Sequence, residues 1–364
     1  MVFKKLFNFT AVAALALSTF GTALVSAQSP QQDIIDQEPT GVQLVIGTNN
    51  TGAGEPREAW LLNAAEEAGF NIQLVSLGGG DLTSRVIAEA NNPTMNVVWG
   101  PSEDNFNLMV EAGALTAWEP AWADKVEGSH GVNGYSWPYE VQPKLYVANP
   151  NVVSAEELPT TISQLWEDEA YHGKYMVPKE LGGAQARMMV GGILAQYLDE
   201  SGELGVSEAG WAAIEAYFAN GYQAQEGEDE FVNLVEGTVP YAYTAASLIY
   251  SKLDAAAADF ETPLIVYFEE GAPTNTNHVG VVNSDDQAIV DESIRFANWI
   301  GSADVIGEYA ADNGTIVTNV DAVEFMDPRM QEINANFKWQ EADWTYINSR
   351  LDEWVAKILL EYMP

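Results

Sequence analysis

The chain has 364 residues, 47% of them hydrophobic, which is enough for about two ordinary domains with cores of their own. Its 53 acidic residues against 15 basic ones give a net charge of −38, which excludes nucleic acid as a partner and, spread along the whole chain, reads as a solvated surface of the kind found in salt-adapted proteins. The absence of cysteine excludes disulfides, thiolate metal sites, cysteine nucleophiles and the lipid-bearing cysteine of a bacterial lipoprotein.

Residues 1–27 read as a cleaved secretory signal: Lys4 and Lys5 precede an apolar stretch from Thr10 to Val25, and Val25-Ser26-Ala27 supplies the small residues of a cleavage site. No comparable apolar run follows, so no transmembrane segment is expected. Downstream, short β-rich runs alternate with segments of helical period. "VQLVIGT" (42–48) precedes a helix from Pro56 to Ala68; "NIQLVS" (71–76) precedes a helix from Asp81 to Ala90; "MNVVWG" (95–100) precedes a helix whose start is marked by Ser102. After "KLYVANP" (144–150) the same grammar repeats, with a strand at 174–178, helices at Gln185–Leu198 and Trp211–Asn220, and a strand at "TVPYAYT" (238–244). The stretch 263–284 reads as strand, loop, strand, Asp285–Ile300 as a helix, and Glu341–Leu360 as one amphipathic helix. This alternation predicts an α/β protein with mostly parallel sheets flanked by helices. Two extended stretches, Lys144–Ala148 and Leu264–Phe268, bracket the middle of the chain and are expected to cross between two lobes.

In an open parallel sheet, ligands settle beyond the carboxyl ends of the strands, where helices present unpaired N–H groups. Gly78, Gly79 and Gly80 stand at such a place, with Asp81 as a candidate helix cap. They suit a tight strand-to-helix turn or a bare backbone approached closely by a ligand. The spacing is neither the dinucleotide fingerprint nor a P-loop. Thr48–Gly54 ("TNNTGAG"), Gly100–Glu103 ("GPSE") and Leu181–Ala184 ("LGGA") are small, polar loops at the other strand ends, and four such loops suffice to line one cleft.

In the segments "GGGDLTSRVIAEANNPTMNVVWGPSEDNFNLMVEAGALTAWEP" (78–120), "LPTTISQLWEDEAYHGKYMVP" (158–178), "LVEGTVPYAYTAAS" (234–247) and "VYFEEGAPTNTNHVGVVNSDDQAIVDESIRFANWIGS" (266–302), the chain resembles the extracellular solute-binding proteins of ABC importers. The likeness is to the type II, two-lobed group that includes ferric-iron, aminoethylphosphonate, thiamine and polyamine binders. The resemblance implies a periplasmic-binding-protein-like fold with residues 41–143 and 272–364, including the C-terminal helix, in one lobe and 144–271 in the other. It implies a cleft that closes on one small molecule, lined by Thr48, Asn49, Asn50, Thr51, Gly78, Gly79, Gly80, Asp81 and Ser102 from the first lobe, and by Gly182, Gly183, Ala184, Tyr241 and Tyr243 from the second. It further implies a secreted or periplasmic monomer, without cofactor, that hands its solute to a membrane permease and is not an enzyme.

Two departures from the family pattern bear on the ligand. Ferric binders of this group carry two adjacent tyrosines as metal ligands, whereas this chain has Tyr241-Ala-Tyr243, and a Ser-Gly pair that meets anions in many relatives reads Gly182-Gly183 here. "YSWPYE" (135–140) places Tyr135, Trp137 and Tyr139 where they are expected to face the cleft, opposite Trp99 and Glu103. An aromatic wall beside a carboxylate suits an organic cation or amine. That ligand is the first expectation, a ferric ion or oxyanion the second, and a secreted acidic carbohydrate-active hydrolase the alternative of another class. No G-x-S-x-G elbow or His-Glu-x-x-His spacing supports a hydrolase, and His130, His172 and His278 lie far apart in sequence.

Overall fold

The computed structural model describes residues 40–126 and 134–363, so the expected signal segment lies outside the described residues. In chain order the elements are β1 (Gln43–Thr48), α1 (Pro56–Glu67), β2 (Asn71–Ser76), α2 (Gly79–Ala88), β3 (Val97–Ser102), α3 (Glu103–Glu111), β4 (Leu115–Thr116) and β5 (Ser136–Ala148). The middle of the chain supplies α4 (Gln164–Glu167), β6 (Met176–Val177), α5 (Ala184–Leu194), β7 (Leu198–Glu203), α6 (Glu208–Asn220), β8 (Tyr222–Gln223), α7 (Glu230–Glu236), β9 (Tyr241–Ala245), α8 (Ile249–Ala255) and β10 (Leu264–Val266). The remainder is β11 (Thr274–Val282), α9 (Gln287–Ile300), α10 (Ala303–Asn313), β12 (Ile316–Val317), α11 (Pro328–Asn336) and α12 (Trp344–Glu361).

The architecture is α/β and two-lobed. In the first lobe β1 pairs in parallel with both β2 and β3, and the sheet continues through β11, antiparallel to β3, to the front half of β5. In the second, the rear half of β5 lies between β9 and β10, antiparallel to both, while β6 and β8 form a parallel pair. The sheets are therefore mixed rather than mostly parallel. Parallel pairing is confined to strands followed by a covering helix or loop crossover, and the strands that join the lobes run antiparallel.

The crossing itself differs from the expectation in position. Lys144–Ala148 and Leu264–Val266 pair with each other inside the second lobe, with Leu264 opposite Ala148. The change of partner falls one step earlier: Pro143 faces Thr274 of β11, whereas Lys144 faces Ala245 of β9. Proline suits this junction, because its missing N–H asks for no partner where one ladder gives way to another.

β5 alternates with period two. Trp137, Tyr139, Val141, Leu145 and Val147 are buried in an apolar cluster that runs through both lobes and gathers Leu44, Ile46 and Phe296 at one end and Phe231, Leu234 and Ile249 at the other. Trp118, Trp122 and Trp137 meet edge to face, with centroids 6.3–6.5 Å apart, and the Trp122 ring lies where a Cβ on Gly301 would fall.

A second cluster holds Tyr146, Ala148, Ile193, Trp211 and Ile214, and into it the C-terminal helix inserts Ile347, Leu351, Trp354, Val355 and Ile358. The expectation that this helix belongs with the first lobe is thereby corrected: α12 packs on α5 of the second lobe. Gly191 admits the contact, since a Cβ there would stand 3.2 Å from both Ile347 and Leu351.

Candidate functional site

Three strand ends of the first lobe build one polar wall. At the end of β1 the Thr48 hydroxyl accepts the amide of Asn50 at 3.0 Å, which turns the chain and directs the Asn50 side chain inward. There its amide nitrogen donates to the hydroxyls of Tyr139 at 3.0 Å and Tyr309 at 2.7 Å, and its oxygen accepts from Arg57 at 3.2 Å. Asn50 is thus a half-buried anchor, and Thr48 and Thr51 on either side of it are buried. Asn49 remains exposed, wedged between two glycines: a Cβ on Gly79 would meet its Nδ2 at 3.0 Å, and one on Gly100 its Oδ1 at 2.5 Å.

The triple-glycine stretch is only partly a loop. Gly78 is the N-cap of α2, so Gly79 and Gly80 form its first turn with Asp81, and none of the three adopts positive φ. Their use lies in close approach: Gly79 lets Asn49 and Asn105 draw near. Asp81 makes no capping bond, and the expected role of cap passes to the bare Gly78. Ser102 is the N-cap residue of α3, yet its hydroxyl accepts from Asn105 Nδ2 at 2.9 Å instead of capping the backbone. Asn49, Gly79, Ser102 and Asn105 therefore converge, and Asn105, Arg57 and Tyr309 are the members that the sequence reading missed. Asn105 was legible in one respect: it stands three residues past Ser102, on the same side of the first helical turn.

Beside this wall Glu103 and Asp104 open α3, favourably placed for the helix dipole. Burial nevertheless pushes both carboxyls above their usual range; the neighbouring Asp104 raises Glu103 further, and the bond from the Asn348 amide opposes the shift of Asp104. Asn348 lies on α12, so this bond joins the first lobe to a helix seated on the second. Among the described residues no lysine, arginine or histidine forms an ion pair with either carboxylate.

The second lobe presents Gly182, Gly183 and Ala184, all exposed, at the N-terminus of α5, where Gly183 is the N-cap. Gln185 accepts the amide of Ala245 at 2.9 Å and ties this helix start to the end of β9. A cavity of about 600 Å³ opens here, lined among others by Lys179, Gly183, Gln185, Glu230, Tyr243 and Lys252. The two tyrosines of β9 part company. The Tyr243 ring lines the cavity, 5.3 Å from that of Tyr146, and its hydroxyl is buried without a hydrogen-bond partner among the described residues; Tyr241 donates to the Glu157 carbonyl at 3.3 Å and packs edge-on against Tyr171.

Between the lobes the even-numbered residues of β5 carry polarity through the crossing. Glu140 is fully buried; it accepts from Asn277 at 2.9 Å and from Gln142 and Thr315. Gln142 in turn accepts from Ser247 at 3.0 Å, and Lys144 donates to the Gln142 carbonyl and to Asn275, both at 2.8 Å. Burial pulls the Lys144 ammonium down to about 7, with the charge of Glu140 acting in the opposite sense. The alternation Glu-Val-Gln-Pro-Lys was the available sign of this polar stripe.

No protein-family model matches the chain. It is 29% identical over 310 residues, 85% of its own length and 84% of the relative's, to the probable ABC transporter periplasmic-binding protein y4fP of Sinorhizobium fredii. Its fold is that of iron-bound HitA from Pseudomonas aeruginosa, at a TM-score of 0.65 and 16% identity, covering 86% of this chain and 99% of the other. AfuA from Actinobacillus pleuropneumoniae, with fructose 6-phosphate bound, gives 0.65 and 18% over 87% and 99%. The chain is thus similar in sequence to a probable ABC-transporter periplasmic-binding protein, and similar in fold to HitA and AfuA.

The expected aromatic wall needs correction. Trp137 is 7% exposed, and its indole donates to the Trp118 carbonyl within the tryptophan trio; Trp99 is fully buried and stacks on Tyr139, which is itself 1% exposed. These rings fill the first lobe behind Asn50, because on β5 the odd-numbered side chains face the core. Among the described residues no group of three histidine, aspartate or glutamate side chains is arranged around a common metal position.

Proposed function

We propose that this chain is the solute-binding component of an ABC import system, exported to the periplasm or beyond, and that it carries an amine or other organic cation to a membrane permease. The lobes, meeting at Pro143–Lys144 and Ala272–Pro273, close on that solute as a monomer. The observation that carries the reading is Glu103–Asp104: two carboxylates partly withdrawn from water, with no basic partner among the described residues, beside the Asn49, Ser102 and Asn105 wall. Removing a carboxylate from water is costly unless a cation compensates it, and an ammonium group in the cleft supplies that compensation.

The open N-terminus of α5 at Gly182–Ala184 favours a second reading, in which the solute carries a phosphate or carboxylate, since unpaired amides and the helix dipole attract anions. Calorimetric titration with putrescine, spermidine and choline, alongside ferric citrate and fructose 6-phosphate, separates the two. Saturable binding of an amine, weakened at least tenfold in Asp104→Asn, is expected. Binding of the phosphate or ferric compound alone refutes the amine, and turnover of an oligosaccharide refutes the binding role itself.

A further inference from the structure

The polar stripe of β5 lies where the chain passes from one lobe to the other, and it joins them chemically. Glu140 and Thr315 belong to the first-lobe side, Ser247 to the second, and Gln142 bonds toward both. Lys144 is the first residue paired within the second lobe, yet its ammonium reaches back to Asn275 on β11, which belongs to the first-lobe sheet. A buried ammonium held by one carbonyl and one amide oxygen sits on the pivot itself, and any rotation about Pro143 changes its distance from Asn275 and its access to water.

We propose that Lys144 and Glu140 make the opening and closing of the lobes proton-linked. An ionised Lys144 favours the lobe arrangement in which the pivot is hydrated, and a neutral Lys144 favours the arrangement seen here. This rests on the reading of the chain as a hinged binding protein, but not on the identity of its solute.

The surroundings suit such a device. The charged group facing Lys144 along its own strand is Glu140, whose charge also reaches Arg57 of α1 and the phenols of Tyr139 and Tyr309. β11 offers only the neutral Asn275 and Asn277, and the end of β9 only Ser247. On the opposite side Tyr267 and Lys338 border a small gap shared with Lys144. With its ammonium drawn to about 7, Lys144 changes charge within the range in which a secreted protein works, whereas an ordinary lysine does not.

The cysteine-free chain allows a direct test without ligand. Glu66→Cys on α1 and Glu215→Cys on α6, both at exposed positions, accept a pH-insensitive dye pair for energy transfer between the lobes. From pH 5.5 to 9 the transfer efficiency is expected to move with a midpoint near 7, to become flat in Lys144→Met, and to stay at its acid-limb value in Lys144→Arg. Glu140→Gln is expected to lower the midpoint, because the charge that favours the ammonium is gone, and this arm holds even if Lys144→Met folds poorly. A flat wild-type profile, or a transition that persists unchanged in Lys144→Met, overturns the proposal. If the profile is flat while an amine still closes the lobes, the proton linkage fails and the transport reading stands.

Discussion

His278 on β11 is fully buried, with Ser136 Oγ at 3.1 Å and Thr276 Oγ1 at 2.8 Å from its ring nitrogens, and burial lowers its pKa to about 3. The unfolded chain therefore binds a proton below pH 6.5 that the native state refuses, so this contribution to stability is complete above 6.5 and is lost as pH falls toward 3. Urea midpoints measured from pH 6.5 to 5, above the ordinary carboxylate range, should decline at a rate approaching 1.4 kcal/mol per pH unit (~one proton), and His278→Gln should flatten that decline. Glu292 and Arg295 form a buried pair, 1% and 4% exposed, with two bonds of 2.7 and 2.8 Å, and the guanidinium lies 3.7 Å above the Phe70 ring. Arg295→Met leaves the carboxylate unpaired and should cost about 3–5 kcal/mol in denaturant titration, whereas the double change with Glu292→Leu should recover most of that loss. Gly100, at φ +118° and against Asn49 and the Asn50 amide, has no room for a Cβ; Gly100→Ala should displace the Asn49 loop and weaken the proposed solute binding more than it lowers the melting temperature.

At the scale of elements, the C-terminal helix is the clearest case of a dependence that sequence does not reveal. Trp354 is fully buried and donates to the Leu204 carbonyl at 3.0 Å, so Trp354→Ala should cost about 3–5 kcal/mol and loosen the second lobe, read as faster hydrogen exchange in α5 and α6. The helix itself was legible from its period, with bounds within three residues of those observed, as were β2, the helix at 287–300 and the strand pair 264–282. Which core it joins was not, because an amphipathic stripe states that a face is buried and not what buries it. The same limit explains Trp137 and Tyr139. Their position beside the crossing was readable, but a one-residue change of register sends every side chain of a strand to the opposite face, and the register of β5 is set by β11, about 140 residues away in sequence. The strand-end loops were legible because small polar residues mark them. The alliance of Asn50 with Tyr139, Tyr309 and Arg57 was not, since it joins three distant segments.

At the scale of the whole molecule the net charge of −38 makes self-repulsion a term of its own. Raising sodium chloride from about 0.05 to 1 M shortens the screening length to about 3 Å, and the melting temperature should climb with it; an invariant midpoint would show that the acids are spaced widely enough not to oppose the fold. The division into two lobes also hides a unity. Alternate residues of one thirteen-residue strand feed a single apolar cluster from Leu44 to Leu253, so neither lobe owns its interior outright. A fragment spanning 144–271 alone would have lost both α12 and half of that strand, and it should remain unfolded by circular dichroism, while the intact chain melts in one calorimetric step. A molecule whose halves share a backbone beam in this way can flex at the joint but cannot come apart there, so a solute captured as proposed would be gripped by a bending spring and not by two jaws on a loose string.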